Sequence, residues 1–336
     1  MSFGANDARS EHALIELRAP IGIGRFFGHV VESWHARRKM LHIVLIVNPF
    51  ASRVTERGLR AVEESLARAG TVDTRLTQRR GHASELAAEV DGADALVVFG
   101  GDGVVNEALN GLQTDVPFGA LPGGGTSVFA RALGLPRDAP AAAERVADAI
   151  AAGRTRRITL GRVAGRRFGF SAGVGLDAAT VRRVDALGRA RDGRRPGDLT
   201  FTYEFVRELA AARFRLEPSL EIDGLGRAAA VLVANCDPYT YAGVLPLHFA
   251  PQARFELGLD VVAPVSVKPR SMPRLLRYVL LGHGQENAPD ILYGHDLDRL
   301  EVKCDRRLPL QVDGEDLGDV DHAIFEAERD AVAVLV

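Results

Sequence analysis

Cysteine, tryptophan and an excess of one charge are nearly absent from this sequence of 336 residues. The two cysteines, Cys236 and Cys304, are far apart and lack the spacing of a metal site, so we expect buried, reduced thiols in a cytoplasmic protein. The formal net charge is −2, which provides no electrostatic field for a nucleic-acid partner. The hydrophobic content of 46% is ample for two hydrophobic cores.

Long apolar segments are also lacking, because no run reaches the ~18 residues that a membrane-spanning helix needs. Acidic residues such as Asp7 and Glu11 interrupt the first residues, which excludes an ordinary signal peptide. Residues 21–34 are nevertheless apolar and precede the basic run HARRK at 35–39. We therefore expect an N-terminal extension over residues 1–40 that either contacts an anionic membrane surface or forms a loosely docked leader.

The most informative stretch is residues 96–111, LVVFGGDGVVNEALNG, where an apolar run of strand type breaks into glycines and resumes with helical spacing. Gly100, Gly101 and Gly103 allow positive φ and leave no Cβ in the way, so backbone N–H groups could approach a phosphate at the helix N-terminus. Asp102 lies where a carboxylate could meet a metal ion or a ribose hydroxyl. Taken alone, a purely structural tight turn explains this segment equally well.

A second glycine loop follows the next predicted strand. Residues 117–121 form a short apolar run, and three glycines with Thr126 come between it and another helical pattern. Two such loops at the carboxyl ends of neighbouring strands, each opening a helix, are typical of the ligand crevice in an open α/β sheet. The ligand expected there is anionic.

Together, GGDGVVNEALNGL (100–112) and LPGGGTSVFARALGLP (121–136) resemble the catalytic domain of the diacylglycerol kinase and sphingosine kinase superfamily, in particular the bacterial lipid kinases. Further segments match the family in the right order. They are VNP at 47–49, Thr77 with Gly81, His82 and Ala83 of a Thr-x-x-x-Gly-His-Ala pattern, residues 241–263, and QVDGE at 311–315.

Strand and helix patterns alternate from residue 41 to residue 152, beginning with a strand at 41–47 and ending with a helix at 139–152. Short β-type runs follow at 156–163, 166–173, 216–222, 228–235, 257–262, 300–304 and 308–312, and a further helix is predicted at 272–281. We predict an α/β N-terminal domain with a mainly parallel sheet, similar to those of NAD kinases and diacylglycerol kinases, and a second domain that is a β-rich sandwich. The resemblance implies a nucleotide-binding catalytic domain at 41–157 with 318–336, and a lipid-substrate domain at 158–317. An exposed strand edge in the second domain could support a homodimer.

The resemblance implies an ATP-dependent kinase of phospholipid biosynthesis that transfers the γ-phosphoryl group to the hydroxyl of diacylglycerol or a related lipid, with Mg²⁺ as cofactor. It marks Glu315 as the base and Asp313 as the residue that orients it or binds the cation, although an Asp-Gly pair is also a common hairpin turn. Asp102 is the other catalytic and metal candidate. The expected ATP-binding residues are Asn48, Thr77, Gly100, Gly101, Asp102, Gly103, Asn106, Glu107, Gly124, Gly125 and Thr126.

The sequence departs from the family pattern at three places. Val104 stands where a threonine usually follows GGDG, and Val128 and Phe129 stand in place of an Asn-Asp pair. Residues 256–260, ELGLD, replace the Asp-Gly-Leu segment that holds a structural magnesium in some bacterial members. These changes leave a catalytically weak lipid-binding regulatory homologue as one alternative.

An NAD kinase-like enzyme is the second alternative, because NAD kinases share the GGDG loop. Asn106 and Glu107 after that loop, and the separate Asp-Gly-Glu element, favour a lipid kinase. Since a lipid acceptor is collected from a bilayer, we expect peripheral membrane association. Three segments are candidates for that contact: residues 26–39, the arginine-rich residues 182–197, and residues 272–281 with the neighbouring Arg270, Arg274 and Arg277.

Overall fold

The computed structural model describes residues 40–187 and 198–336. Two of the candidate membrane-contact segments, residues 26–39 and most of 182–197, lie outside the described residues, as does nearly all of the expected N-terminal extension. Within the described part of the chain, no helix is both long enough and apolar enough to cross a bilayer.

The first part of the chain alternates strands with helices. The parallel strands run in the order β2, β1, β3, β4, and β1 and β3 are almost wholly buried because helices cover both faces of the sheet. The elements are β1 (Leu41–Val47), α1 (Glu56–Ala67), β2 (Gly70–Leu76), α2 (His82–Ala88), β3 (Ala95–Gly100), α3 (Asp102–Gly111), β4 (Phe118–Pro122), α4 (Val128–Ala132) and α5 (Ala139–Ala152).

The second part is rich in antiparallel strands, with three described helices between them. Its strands are β5 (Thr155–Val163), β6 (Arg166–Phe168), β7 (Ser171–Val174), β8 (Leu220–Ile222), β9 (Gly226–Ala228), β10 (Val231–Ala234), β11 (Thr240–Ala242), β12 (Leu245–Leu247), β13 (Leu259–Pro264), β14 (Ile291–Leu297), β15 (Arg299–Val312) and β16 (Glu315–Leu335). Its helices are α6 (Leu176–Ala186), α7 (Asp198–Ala211) and α8 (Met272–Leu281). The predicted fold class, a mainly parallel α/β part followed by a β-rich part, is confirmed.

Strand β16 joins the two parts into one sheet. It pairs with β15 at its beginning, runs antiparallel to β5, and meets β4 in parallel where Val334 lies beside Phe118. The strand order is β14, β13, β10, β7, β15, β16, β4, β3, β1, β2. The end of the chain therefore completes the core of the first part, where Val334 and Leu335 are buried.

Several strands differ from the sequence prediction for identifiable reasons. Residues 166–173 were predicted as one strand, but they form β6 and β7 because the backbone N–H groups between the two turn toward the carboxylate of Asp313. Residues 300–304 and 308–312 were predicted as two strands but belong to the single strand β15, whose pairing with β16 is interrupted by irregular register. The short strands β9, β11 and β12, and strand β14, were not predicted.

Both cysteines are free, as expected. Cys236 is buried and Cys304 is half-buried, and burial raises the pKa of each thiol, that of Cys304 to about 11. Thiols of this kind stay protonated and unreactive at neutral pH.

Leu335→Ala should destabilise the protein by about 2–5 kcal/mol, because Leu335 is buried in the core that β16 completes. Leu317→Ala is the matched control on the same strand, since Leu317 is only partly buried and should cost less. Denaturant unfolding of both variants measures the difference. Equal losses would contradict the anchoring role of the final strand.

Candidate active site

The two glycine loops pack backbone against backbone. The N–H of Gly123 donates to the carbonyl of Gly100 at 2.7 Å. A Cβ atom on Gly123 would lie 2.8 Å from the Cα of Gly100, and one on Gly124 would lie 2.8 Å from the Cα of Gly101. Such distances are impossible for a side chain, so glycine is required here for close approach.

The first loop does not use the positive φ that its glycines would allow. Gly101 has φ −89°, and none of Gly100, Gly101 and Gly103 is among the positive-φ residues of the described chain. The loop follows extended backbone into the first turn of α3. A Cβ atom on Gly100 would collide with Val104, and one on Gly103 would lie 3.2 Å from Glu315 Oε1, so close packing favours these two glycines.

Asp102 connects the first loop to the second. It stands in the first turn of α3, and its Oδ1 and Oδ2 accept the backbone N–H groups of Phe129 and Val128, both at 3.0 Å. These donors are at the beginning of α4, so Asp102 satisfies N–H groups that have no partner inside that helix.

Most of the expected nucleotide-binding residues border a common cavity. Those that line it are Asn48, Thr77, Gly101, Asp102, Gly103, Glu107, Gly124, Gly125 and Thr126. Gly100 and Asn106 are not among the lining residues. The carboxylate of Glu107 accepts the N–H groups of Gly81 and Ala83 at the beginning of α2, so it holds the Gly-His-Ala segment in place.

Asp313 is buried at the turn between β15 and β16. Asp313 and Gly314 have φ of 46° and 77°, as in two-residue hairpin turns, so the hairpin interpretation of this pair is correct for its backbone. The Asp313 carboxylate accepts four hydrogen bonds, from the N–H groups of Gly169, Phe170 and Ser171 and from Asn106 Nδ2, at 2.7 to 3.0 Å. Burial raises the pKa of Asp313 to about 6, and the four donors oppose that shift.

Glu315 follows that turn and is held by two arginines. Its Oε2 lies 2.9 Å from Arg166 Nη2 and 3.3 Å from Arg80 Nη2, and its side chain is 11% exposed. Arg166 also donates to Asn106 Oδ1 at 2.7 and 3.1 Å, which links Glu315 to the residue that binds Asp313. The carboxylate of Glu315 raises the pKa of Arg80, which is 67% exposed and lines the cavity.

Sequence reasoning missed both arginines. Arg80 stands in the matched TQRRGHA segment directly before Gly81, so its position carried a signal that was not used. Arg166 had no motif to mark it, because its role depends on a contact with a residue 149 positions away.

The carboxylates do not form a preformed metal site. In the described ranges, no group of three or more histidine, cysteine, aspartate or glutamate residues could hold a metal ion. Asp102 and Asp313, the two expected metal ligands, are each occupied by protein donors. Asp313 accepts four hydrogen bonds and has no lone pair left, and Asp102 accepts the N–H groups of Val128 and Phe129.

At two of the three places where the sequence departs from the family pattern, the replacing residues make contacts within the protein. Phe129 packs edge to face against Phe118 and Phe255, with ring centroids 6.4 and 5.6 Å apart, and so joins the first part to the second. At the ELGLD segment, the buried carboxylate of Asp260 accepts from Tyr293 Oη at 3.0 Å and lies 2.8 Å from His295 Nδ1. Hydrogen bonds therefore satisfy Asp260 without a metal ion.

The cavity continues from these loops into an apolar chamber. The whole cavity has a volume of about 1400 Å³. Asp313, Gly314 and Glu315 border this cavity between the glycine loops and the apolar chamber. The chamber walls come mainly from α7, α8 and the central strands of the β-rich part, and they include Phe201, Phe205, Leu232, Phe249, Leu275 and Val279. Polar residues of the glycine loops and apolar residues of the chamber thus line one space.

Comparisons with known families agree with this architecture. Residues 42–163 match the profile described as the diacylglycerol kinase catalytic domain, and residues 171–336 match the YegS C-terminal NAD kinase beta sandwich-like domain. A solved diacylglycerol kinase structure from Bacillus anthracis superposes with a TM-score of 0.65 at 21% identity, covering 88% of this chain and 97% of that one. This likeness establishes the fold.

Curated relatives match over part of the chain. A diacylglycerol kinase of Mycobacterium tuberculosis is 40% identical over 107 residues, which are 30% of this chain and 34% of that protein. A diacylglycerol kinase of Bacillus subtilis is 36% identical over 138 residues, which are 39% of this chain and 45% of that protein. The chain thus spans between a third and a half of the length of these two relatives.

Gly101→Val should weaken ATP binding about tenfold or more with little change in unfolding temperature, because the added side chain enters the cavity and its Cβ meets protein only at 3.6 Å. Gly123→Ala is the contrasting variant, since its Cβ would collide with the opposite loop and should cost about 1–3 kcal/mol of stability. Calorimetric titration and thermal unfolding separate the two effects. Wild-type ATP affinity in folded Gly101→Val would contradict a phosphate-binding loop.

Proposed function

The chain belongs to the diacylglycerol kinase family, and from that premise we propose that it transfers the γ-phosphoryl group of ATP to a lipid hydroxyl. The observation that carries this proposal is the continuous cavity, which has glycine loops and arginines at one end and an apolar chamber at the other. The acidic turn at residues 313–315 borders the cavity between these two ends, where the two substrates would meet.

The nucleotide occupies the polar end in this proposal. The first turn of α3, which begins after Gly101, presents backbone N–H groups and the positive end of a helix dipole. Arg79 and Arg80 line the same end and supply positive charge for the phosphates. We assign residues 41–157 with 318–336 to nucleotide binding and residues 158–317 to the lipid.

Asp102 fits a contact with Mg²⁺ that arrives with ATP, because a carboxylate is a preferred ligand of that cation and this one lines the cavity beside the first turn of α3. Bound there, the cation would neutralise charge on the phosphates. Asp313 does not fit as a direct ligand, because four donors surround its carboxylate. Its proposed role is to fix the turn that carries Glu315.

Glu315 is the proposed base toward the lipid hydroxyl. Its carboxylate reaches the cavity and is oriented by Arg166, which Asn106 in turn holds. A positioned base near the attacking hydroxyl contributes about 10²–10⁴-fold in rate.

The apolar chamber favours a lipid over the dinucleotide acceptor of an NAD kinase-like enzyme. The activity named for the Mycobacterium and Bacillus relatives makes diacylglycerol the first acceptor to test. A transfer assay with γ-labelled ATP against diacylglycerol, monoacylglycerol, a sphingoid base and NAD tests this directly. Labelled lipid supports the proposal, labelled NAD supports the alternative enzyme, and no product supports the regulatory homologue.

The same proposal includes contact with a membrane through α8. Leu276, Arg277, Leu280 and Leu281 form its exposed stripe, and Leu276 and Leu280 also border the apolar chamber. Lys268 and Arg270 are exposed just before the helix, whereas Arg274 is paired with Asp290. An apolar stripe beside basic residues fits an anionic lipid surface on the cytoplasmic side.

A homodimer is a further part of the proposal. Strands β14 and β2 are the two ends of the strand order, and an unpaired edge is where a second copy can add.

Glu315→Gln should lower kcat by about 10²-fold or more and leave ATP affinity nearly unchanged, because it keeps the size of the side chain and removes its charge. Glu326→Gln is the matched control, since Glu326 is an exposed residue of the same strand. Steady-state kinetics with the best lipid acceptor and calorimetry with ATP measure the two quantities. Transfer by Glu315→Gln at the wild-type rate, with chemistry limiting, would remove Glu315 as the base.

Arg270→Gln and Arg277→Gln should each weaken binding to anionic vesicles about fivefold, because a basic residue near such a surface contributes roughly 1 kcal/mol. Leu276→Glu should weaken it as well, whereas Leu76→Glu, at an exposed leucine of β2, should not. Vesicle co-sedimentation at two salt concentrations provides the measurement. Binding that is insensitive to all of these changes would exclude α8 as the contact.

A further inference from the structure

A chain of hydrogen bonds leads from the wall of the cavity to the acidic turn, and the proposed chemistry does not use it. Tyr239 Oη donates to Asp177 Oδ1 at 2.8 Å, and Gln311 Nε2 donates to Asp177 Oδ2 at 2.7 Å. Gln311 Oε1 then accepts the N–H of Gly314 at 2.9 Å. Tyr239 and Asp177 both line the cavity, so the wall and the turn are physically connected.

Ser171 lies beside this chain and has a polar atom without a partner. Its backbone N–H donates to Asp313 Oδ1 at 3.0 Å, and its carbonyl accepts the N–H of Asp313 at 2.8 Å. The residue is 1% exposed and lines the cavity, and its Oγ makes no hydrogen bond of ordinary geometry although it is near the phenol of Tyr239. A buried hydroxyl without a partner is unfavourable, and a ligand that pairs with it removes that cost.

The hydrogen-bonding groups that this cluster presents to the cavity suit a ligand that donates a hydrogen bond. Tyr239 gives its only hydroxyl proton to Asp177, so its oxygen can only accept. Asp177 is the acceptor for two neutral donors, and burial raises its pKa to about 6, against the effect of those donors. Ser171 can donate or accept. A phosphorylated head group would meet the carboxylate of Asp177 and the accepting oxygen of Tyr239, with only Ser171 able to donate to it, so it is disfavoured.

We propose that Ser171 and Tyr239 form the subsite that holds the acceptor hydroxyl of the lipid beside the acidic turn, with Asp177 and Gln311 as positioning residues. This assignment rests on the proposed lipid kinase function and names its substrate class. The ligand is a lipid whose head donates a hydrogen bond from a hydroxyl and carries no phosphate. A glycerolipid and a sphingoid base both offer that hydroxyl.

The test compares a hydroxyl lipid with its deoxy analogue, in which hydrogen replaces the acceptor hydroxyl. Equilibrium binding to detergent micelles without ATP gives the affinity ratio for the wild type, Tyr239→Phe and Ser171→Ala. The wild type should prefer the hydroxyl lipid about tenfold, as expected for a buried hydrogen bond, and each substitution should reduce that ratio severalfold. The combined variant should bind both lipids equally.

Tyr293→Phe is the matched control, because Tyr293 also donates to a buried carboxylate but is not among the residues that line the cavity. It should keep the wild-type ratio. A merely structural role for Tyr239 would lower the affinity for both lipids together and leave the ratio unchanged. Diacylglycerol and sphinganine, each with its deoxy analogue, are the two arms that identify the source of the hydroxyl.

The outcomes separate this subsite from the kinase proposal. A preference for the hydroxyl lipid over its deoxy analogue that decreases in the variants supports the subsite, even where no lipid is phosphorylated. In that case only the kinase proposal fails. Equal ratios in the wild type and both variants, or a wild type that binds the two lipids equally, overturn the subsite even where the enzyme phosphorylates a lipid.

Discussion

The buried carboxylate of Asp313 accepts hydrogen bonds from both parts of the molecule, and the remainder of the site depends on that arrangement. Three of its donors are consecutive N–H groups between β6 and β7, and the fourth is Asn106 on the helix that follows the first glycine loop. Removing the carboxylate would leave these donors without a partner in a buried place, at a cost of about 1–3 kcal/mol each. The same contacts fix the turn from which Glu315 enters the cavity.

A second constraint is the close approach of the two glycine loops, which brings them into one continuous backbone surface. Asp102 reinforces it by holding the first N–H groups of α4. Where the family has a polar Asn-Asp pair, this chain has backbone donors and the aromatic ring of Phe129, which packs against Phe255 of the second part.

The sequence pattern predicted the bounds of those strands and helices whose ends are marked by residues close to them in the chain. Strand β1 and helices α5 and α8 have the predicted bounds, because each combines an apolar pattern with clear end signals, such as Asp138 and Gly153 at the two ends of α5. The division of residues 166–173 into two strands could not be predicted, since it follows from N–H groups that bind a carboxylate more than 140 positions away. The roles of Arg166 and Gln311 depend on distant partners in the same way.

The central claim is that nucleotide and lipid occupy one continuous cavity at the same time. A bisubstrate compound, in which an acylglycerol is joined through a polyphosphate to adenosine, tests it most directly. Inhibition kinetics against each substrate in turn give the measurement. The account predicts that the compound competes with both ATP and the lipid and binds more tightly than either. Competition with only one of the two would contradict a shared cavity.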